Sequence, residues 1–348
     1  KICRCVANRE DLFPGSTKNM STMPKILPLL VTAATVTLLV AVVYRQSQPQ
    51  ELVRRKNKLK LYAPTTATPK LKLELLDELK FPDAVCLDGT PGAVHAEIID
   101  GATGWIIYFE GGGWCVSEED CLRRSKGYVG SSNNLDPVDK HRSTILSADC
   151  SLNPNFCKFS KVKLHYCDGN SFISDVDEPV TVGNEKIFFR GRKILDAVIE
   201  TFIPRGLNKA EEILLTGCSA GGLATILNAD YLSDGFLSNK KVFGSLKKYK
   251  ALPISGFFLN ANTVSNEPLY PEQIRTIYNL SKAKAPKKCL ANFRVEDQWK
   301  CNFAENAYAT LTTPMFLLNS AIDSWQLNNI YYHPSHKNSS WSMCMHDV

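Results

Sequence analysis

The chain of 348 residues, 44% hydrophobic and 22% charged, has the balance of a globular protein, long enough for one large α/β domain or two small ones. Its net charge of +6 suggests a polyanion-binding surface until the charges are located. Residues 1–60 hold 11 of the 41 basic but only 3 of the 35 acidic groups; the remainder carries 30 against 32, and nucleic-acid binding loses its support.

Residues 1–25 read as a leader, untranslated or cytosolic. No Met precedes Met20 and Met23, and the chain stops at Val348 directly after a candidate site, so an incomplete reading frame is expected, with the folded part C-terminally truncated. Residues 26–44 are uncharged and mostly apolar, about the length that crosses a bilayer. They form a signal anchor or a signal peptide. The lack of a small-x-small cleavage pattern before Tyr44 and Arg45 favours the anchor and hence a single-pass type II membrane protein. The cluster Arg54, Arg55, Lys56, Lys58 and Lys60 argues against a lumenal body by the positive-inside rule. The cysteines argue the other way: ten of 12 lie beyond residue 80, an even set downstream of an export segment, which reads as disulfides. A zinc site would need a paired CxxC or a His/Cys cluster, and the sequence has neither. The pairs Cys115 and Cys121, Cys150 and Cys157, and Cys289 and Cys301 are close enough to close local loops. Asn279 and Asn338 are glycosylation acceptors of a secretory lumen. A secreted, lumenal or extracellular location is therefore expected.

Residues 45–70 are basic and dotted with Pro and Thr, which predicts a stalk, and residues 71–348 form the folded body. Short apolar runs end in Gly, Asn or Asp and predict strands at Trp105–Phe109, Val162–Tyr166, Ile213–Thr216, Ile254–Leu259 and Pro314–Leu318. Between them, Gly191–Ile203 has helical period, with Ile194, Leu195, Val198, Ile199 and Phe202 on one face. Alternating strands and helices predict an α/β fold with a mainly parallel sheet covered on both faces, and chemistry at the carboxyl ends of its strands.

The run Ile213–Thr216 breaks at Gly217-Cys-Ser-Ala-Gly221 and passes into an Ala/Leu/Ile-rich helical run over 223–227. Strand, tight turn and helix are the context in which Gly-x-Ser-x-Gly presents a nucleophile, here Ser219. The competing reading is a glycine-rich turn that only packs a helix on a sheet. After the run ending at Phe109 stands Glu110-Gly-Gly-Gly-Trp-Cys115, whose glycines let backbone N–H groups point into a cavity. The N–H groups of Gly112, Gly113 and Ala220 make a candidate oxyanion hole. A phosphate loop would need a following Lys-Ser/Thr, which is absent. Glu110 reads as a structural anchor before an acid catalyst.

A serine nucleophile needs a carboxylate and then a histidine later in the chain. Asp323 stands just past the Pro314–Leu318 run; its bland alternative is to cap the helix that Ser324 begins. Among the histidines beyond it, His333 and His336 flank Pro334 in a polar loop, and His346 follows an apolar, Cys344-containing stretch and ranks first. His95, His141 and His165 read as structural. Trp114 and the pair Phe257 and Phe258 are equally well placed to wall an acyl pocket or to fill core.

Several ordered motifs, Val85–Pro91, Tyr108–Cys115, Tyr166-Cys-Asp-Gly-Asn-Ser-Phe172, Phe189–Gly191, Gly217–Gly222 and Asp323-Ser-Trp-Gln326, together resemble the pectin acetylesterase/Notum family of serine carboxylesterases. The resemblance implies an α/β-hydrolase fold, a secreted or lumenal setting, and a triad on Ser219, Asp323 and His346 with the oxyanion hole on Gly112, Gly113 and Ala220. It implies a Cys86–Cys167 disulfide and makes Cys115–Cys121 similar to the family's local loop. No metal or organic cofactor is required. The Gly-Gly-Gly-Trp-Cys loop and the Tyr166–Phe172 motif look more like the plant branch, so the expected substrate is an acetylated, pectin-like polysaccharide, with the protein acting as a monomer. The alternatives are a Notum-type deacylase of a lipid-modified protein and a non-catalytic binding domain on a hydrolase scaffold.

Overall fold

The computed structural model describes residues 71–133, 135–139 and 144–332; residues 1–70, Asn338 and His346 lie outside them. Among the described residues eight strands form in chain order: β1 (Lys72–Leu75), β2 (Ala93–Glu97), β3 (Gly104–Phe109), β4 (Ser160–Leu164), β5 (Val180–Val182), β6 (Glu185–Ile187), β7 (Glu212–Cys218) and β8 (Lys248–Ile254). The four longer helices are α1 (Glu118–Ser125), α2 (Gly191–Phe202), α3 (Ala220–Leu232) and α4 (Leu269–Leu280).

Six strands make the central sheet in the order β1-β2-β4-β3-β7-β8, and β5 and β6 pair as a separate hairpin. β4, β3, β7 and β8 run parallel, while β2 is antiparallel to both β1 and β4. Residues Met315 and Leu318 bridge in parallel to Ala251 and Ile254, extending the sheet beyond β8. β3 carries β4 on one side and β7 on the other, so the strand order reverses at β3. The connections after β3 and β7 leave in opposite directions, and in open α/β sheets the carboxyl ends of the strands at such a point are where ligands bind.

Burial explains the elements. β3 and β4 are buried at every residue; β3 reads as an apolar run, whereas β4 alternates apolar residues with Lys161, whose ammonium donates to the Cys157 and Phe159 carbonyls, and Lys163, which pairs with Glu110 and Asp139. The predicted face of α2 is the buried one, Ile194, Leu195, Val198, Ile199 and Phe202 all being sealed. α3 is buried on nearly every face, because it lies directly on the sheet: a Cβ on Gly221 would meet the carbonyl oxygen of Phe109 at 2.2 Å.

Two expectations require correction. The strand expected over 254–259 is instead Lys248–Ile254, whose exposed Lys248 and Lys250 mask its period; the chain turns out of the sheet at Ser255, which takes φ 49°. The antiparallel strands β1 and β2 were not among the predicted runs. β1 is a short edge strand with charged residues, and β2 pairs small residues with His95 and Glu97. Among the described residues four disulfides hold the body: Cys86–Cys167, Cys115–Cys121, Cys150–Cys157 and Cys289–Cys301. Among the described residues no helix is long and apolar enough to cross a membrane; residues 26–44 lie outside them.

Candidate active site

β7 ends at Cys218, α3 begins at Ala220, and Ser219 makes the turn between them in one residue at φ 60°, ψ −126°. Such backbone is costly for a non-glycine residue and is held here by a hydrogen bond from the Ser219 N–H to the Ile254 carbonyl at 3.0 Å, at the end of β8. The first turn of α3 points its N–H groups toward the turn, giving a partial positive charge there.

β3 pairs with β7 up to Phe109 opposite Gly217, so the glycine loop after β3 arrives beside Ser219. The approach is close: a Cβ on Gly111 would stand 2.2 Å from the Cys218 carbonyl oxygen and 3.1 Å from the Ser219 Cβ. Gly113 takes φ 67°. The loop's carbonyls are tied back. Arg124 Nη1 on α1 donates to the Gly112 carbonyl at 2.9 Å, and the Tyr166 hydroxyl donates to the Gly113 carbonyl at 2.7 Å. In a trans peptide the C=O of one residue and the N–H of the next point in opposite directions. Pinning the Gly112 carbonyl to α1 therefore turns the Gly113 N–H away from that helix. Among the described residues, the N–H groups of Gly112, Gly113 and Ala220 donate to no protein acceptor.

Glu110, at the root of this loop, is buried. Its Oε1 accepts from Tyr128 Oη at 2.8 Å and from Lys163 Nζ at 2.9 Å, and its Oε2 lies 2.9 Å from His165 Nδ1 and accepts the Tyr166 N–H at 3.2 Å. Burial pushes its carboxyl up, but the hydrogen bond with His165 and the charge of Lys163 outweigh it and hold the group well below the usual carboxylate range. Glu110 is an anionic anchor, with no proton to give near neutral pH. His165 also meets the Ser131 carbonyl at 2.9 Å through Nε2, and His95 meets the Asp136 carbonyl at 2.8 Å. Both are structural; His141 lies outside the described residues.

Asp323 sits on the same edge of the sheet, past the 315–318 extension and thus two strand positions from β7. Its Oδ1 accepts the Gln326 N–H at 2.9 Å and caps the one-turn helix Ser324–Gln326. Gln326 in turn holds the loop after β8, donating to the Phe257 carbonyl at 3.0 Å. Trp114 packs against Phe258 with centroids at 4.9 Å and against Trp325 at 5.7 Å, so these rings form one cluster linking the glycine loop to the Asp323 loop. The structure thus brings Ser219, Gly112, Gly113 and Ala220 together and puts Asp323 along the same edge. Asn279 is exposed near the end of α4. Arg124, Ser171 and Trp325 escaped sequence reasoning about the site; Ser171 and Trp325 stand in motifs that were noticed, while Arg124 shows no signal beyond its place on an amphipathic helix.

This parallel sheet, with a left-handed serine between strand and helix and a glycine loop lying against it, defines an α/β-hydrolase-like protein. A family model described as pectinacetylesterase matches residues 65–348, and the chain belongs to that family. It is 34% identical over 279 residues to pectin acetylesterase 5 of Arabidopsis thaliana, covering 79% of this chain and 62% of that protein. Pectin acetylesterase 11 of the same plant is 32% identical over 272 residues, covering 76% and 66%. Palmitoleoyl-protein carboxylesterase NOTUM of Homo sapiens is 28% identical over 254 residues, covering 70% and 49%. The chain thus spans about half to two thirds of the length of these relatives.

Proposed function

We propose that the protein is a serine carboxylesterase that removes acetyl groups from an extracellular polysaccharide. The observation that carries this reading is Ser219, held left-handed at the end of β7 with the glycine loop against it. In the proposed reaction the Ser219 hydroxyl attacks the ester carbonyl while His346, oriented by Asp323, takes its proton. The tetrahedral oxyanion accepts hydrogen bonds from the N–H groups of Gly112, Gly113 and Ala220. His346 returns the proton to the departing sugar hydroxyl, leaving an acyl-enzyme, and water then releases the acetate. The role of Asp323 is compatible with its cap, which uses one carboxylate oxygen; that of His346 rests on chain order. Acetyl is favoured over a long acyl chain because the relatives named pectin acetylesterases are more similar than those named palmitoleoyl-protein carboxylesterases. Four disulfides support an oxidising, secretory setting for the body.

The test is hydrolysis of p-nitrophenyl esters from acetate to palmitate, with Ser219→Ala alongside. We expect activity concentrated on acetate and reduced by at least ~10⁴-fold in the variant. Preference for palmitate would move the reading to the delipidating branch. No Ser219-dependent turnover on any chain, together with no labelling by a fluorophosphonate, would favour a binding domain on a hydrolase scaffold.

A further inference from the structure

The loop Asp168–Ser174 follows β4 and takes no part in the reaction as written, yet it carries two consecutive non-glycine residues in the left-handed region, Ser171 at φ 49° and Phe172 at φ 58°. Both are fully buried. Backbone of this kind persists only where its surroundings over-determine it. For Ser171 those surroundings come from three segments: the end of β4, the glycine loop and α3. Its N–H donates to the Tyr166 hydroxyl at 3.1 Å, and that same hydroxyl donates to the Gly113 carbonyl at 2.7 Å. Its own hydroxyl donates to the Ala220 carbonyl at 2.9 Å and accepts the Trp114 Nε1–H at 2.8 Å. Its carbonyl accepts from Asn228 on α3 at 3.2 Å.

These contacts form a bridge. One end grips the glycine loop at Gly113 and Trp114, the other grips the first turn of α3 at Ala220, and the middle is a single serine locked in one rotamer by a donor and an acceptor. The two ends are the two backbone segments whose N–H groups are the candidate oxyanion donors. We propose that Ser171 is a positioning residue for the oxyanion hole, setting the distance between the glycine loop and the start of α3. This rests on the esterase reading above.

A strut of this kind acts on the transition state more than on substrate binding, because the donors meet full negative charge only on the tetrahedral oxygen. A misplacement near 1 Å is enough to cost ~10²-fold in rate. The experiment compares Ser171→Ala and Ser171→Gly with the wild-type chain on p-nitrophenyl acetate, measuring kcat, KM, melting temperature and the inhibition constant of a trifluoromethyl ketone that adds to serine as a tetrahedral adduct. Glycine adopts φ 49° without strain, so Ser171→Gly removes the hydroxyl while relieving the backbone. For both variants we expect kcat lower by ~10- to 100-fold, KM within about 2-fold, and the inhibition constant raised by the same factor as kcat falls. A merely structural serine would lower the melting temperature and leave the remaining folded enzyme with unchanged kcat and inhibitor affinity. Full kcat and inhibitor affinity in Ser171→Gly, with wild-type turnover dependent on Ser219, would overturn the positioning role alone. Absence of Ser219-dependent turnover in the wild type would overturn the esterase reading and this inference with it.

Discussion

Replacing Gly111 by alanine tests whether the contact between the glycine loop and the serine turn sets the geometry of the site. The added methyl would begin 2.2 Å from the Cys218 carbonyl oxygen, whereas ordinary van der Waals contact starts at 3.4 Å. The three nearest atoms, that oxygen, the Ser219 Cβ at 3.1 Å and the Cys218 carbonyl carbon at 3.3 Å, belong to the turn itself and cannot swing aside as a long side chain would. The loop must therefore retreat by about 1 Å, which for catalytic donors corresponds to ~10²-fold in kcat. Overpacking of this type costs about 1–3 kcal/mol of stability, and for a domain of this size each kcal/mol lowers the melting temperature by about 2–4 °C. Turnover of p-nitrophenyl acetate and a thermal melt read the two effects separately. Two controls bound the result. A Cβ on Gly113 meets nothing within 4 Å but must accept φ 67°, so Gly113→Ala should show strain of about 1–2 kcal/mol without a clash. Gly235→Ala meets neither obstacle and should leave turnover unchanged. Wild-type kcat and melting temperature in Gly111→Ala would refute the reasoning, since the loop would then have room that the structure denies it.

Glu110→Gln should destabilise the chain by about 1.5–3 kcal/mol at pH 7, the range for hydrogen bonds to a charged group. Because burial is outweighed and the folded carboxyl titrates below its ordinary value of 4.5, its contribution is present above that value and is lost as pH falls below it. Urea unfolding should therefore show the gap between wild type and variant narrowing from pH 7 to pH 3.5, and a gap independent of pH would contradict the anchoring role. Removal of the Cys86–Cys167 bond, which spans 81 residues, by paired alanine substitution should cost about 4–5 kcal/mol, and removal of Cys115–Cys121, spanning six, about 2–3 kcal/mol. Guanidinium unfolding checks the order; equal losses would mean that loop closure is not the dominant effect.

The turn at Ser219 was legible because its cause is local. A strand, one strained residue and a helix built on small residues are written within a dozen positions, and the backbone conformation follows from the residue types. The face of α2 was legible for the same reason, since a 3.6-residue period states which side is apolar. Periodicity does not say what that side meets. It misplaced β8 by five to six residues because Lys248 pairs with Glu212 and Lys250 is exposed, so the start of the strand does not face a core, a fact that depends on where β7 lies. The position of Asp323 two strands from β7 likewise follows from the sheet, in which the 315–318 segment pairs beyond β8, whereas its cap on the Gln326 N–H is local and was legible.

What the sequence by itself determined is therefore the local chemistry: a serine in a tight turn, a run of glycines after a strand, and cysteines close enough to close short loops. Tertiary structure decided the alignment of those parts. Arg124 reaches back 12 residues to the Gly112 carbonyl, Ser171 spans 49 residues to Ala220, and Glu110 joins His165 across 55. Each of these bonds is short-ranged and directional, so it forms only after burial of the sheet and helices has brought the segments together, and no spacing along the chain announces it.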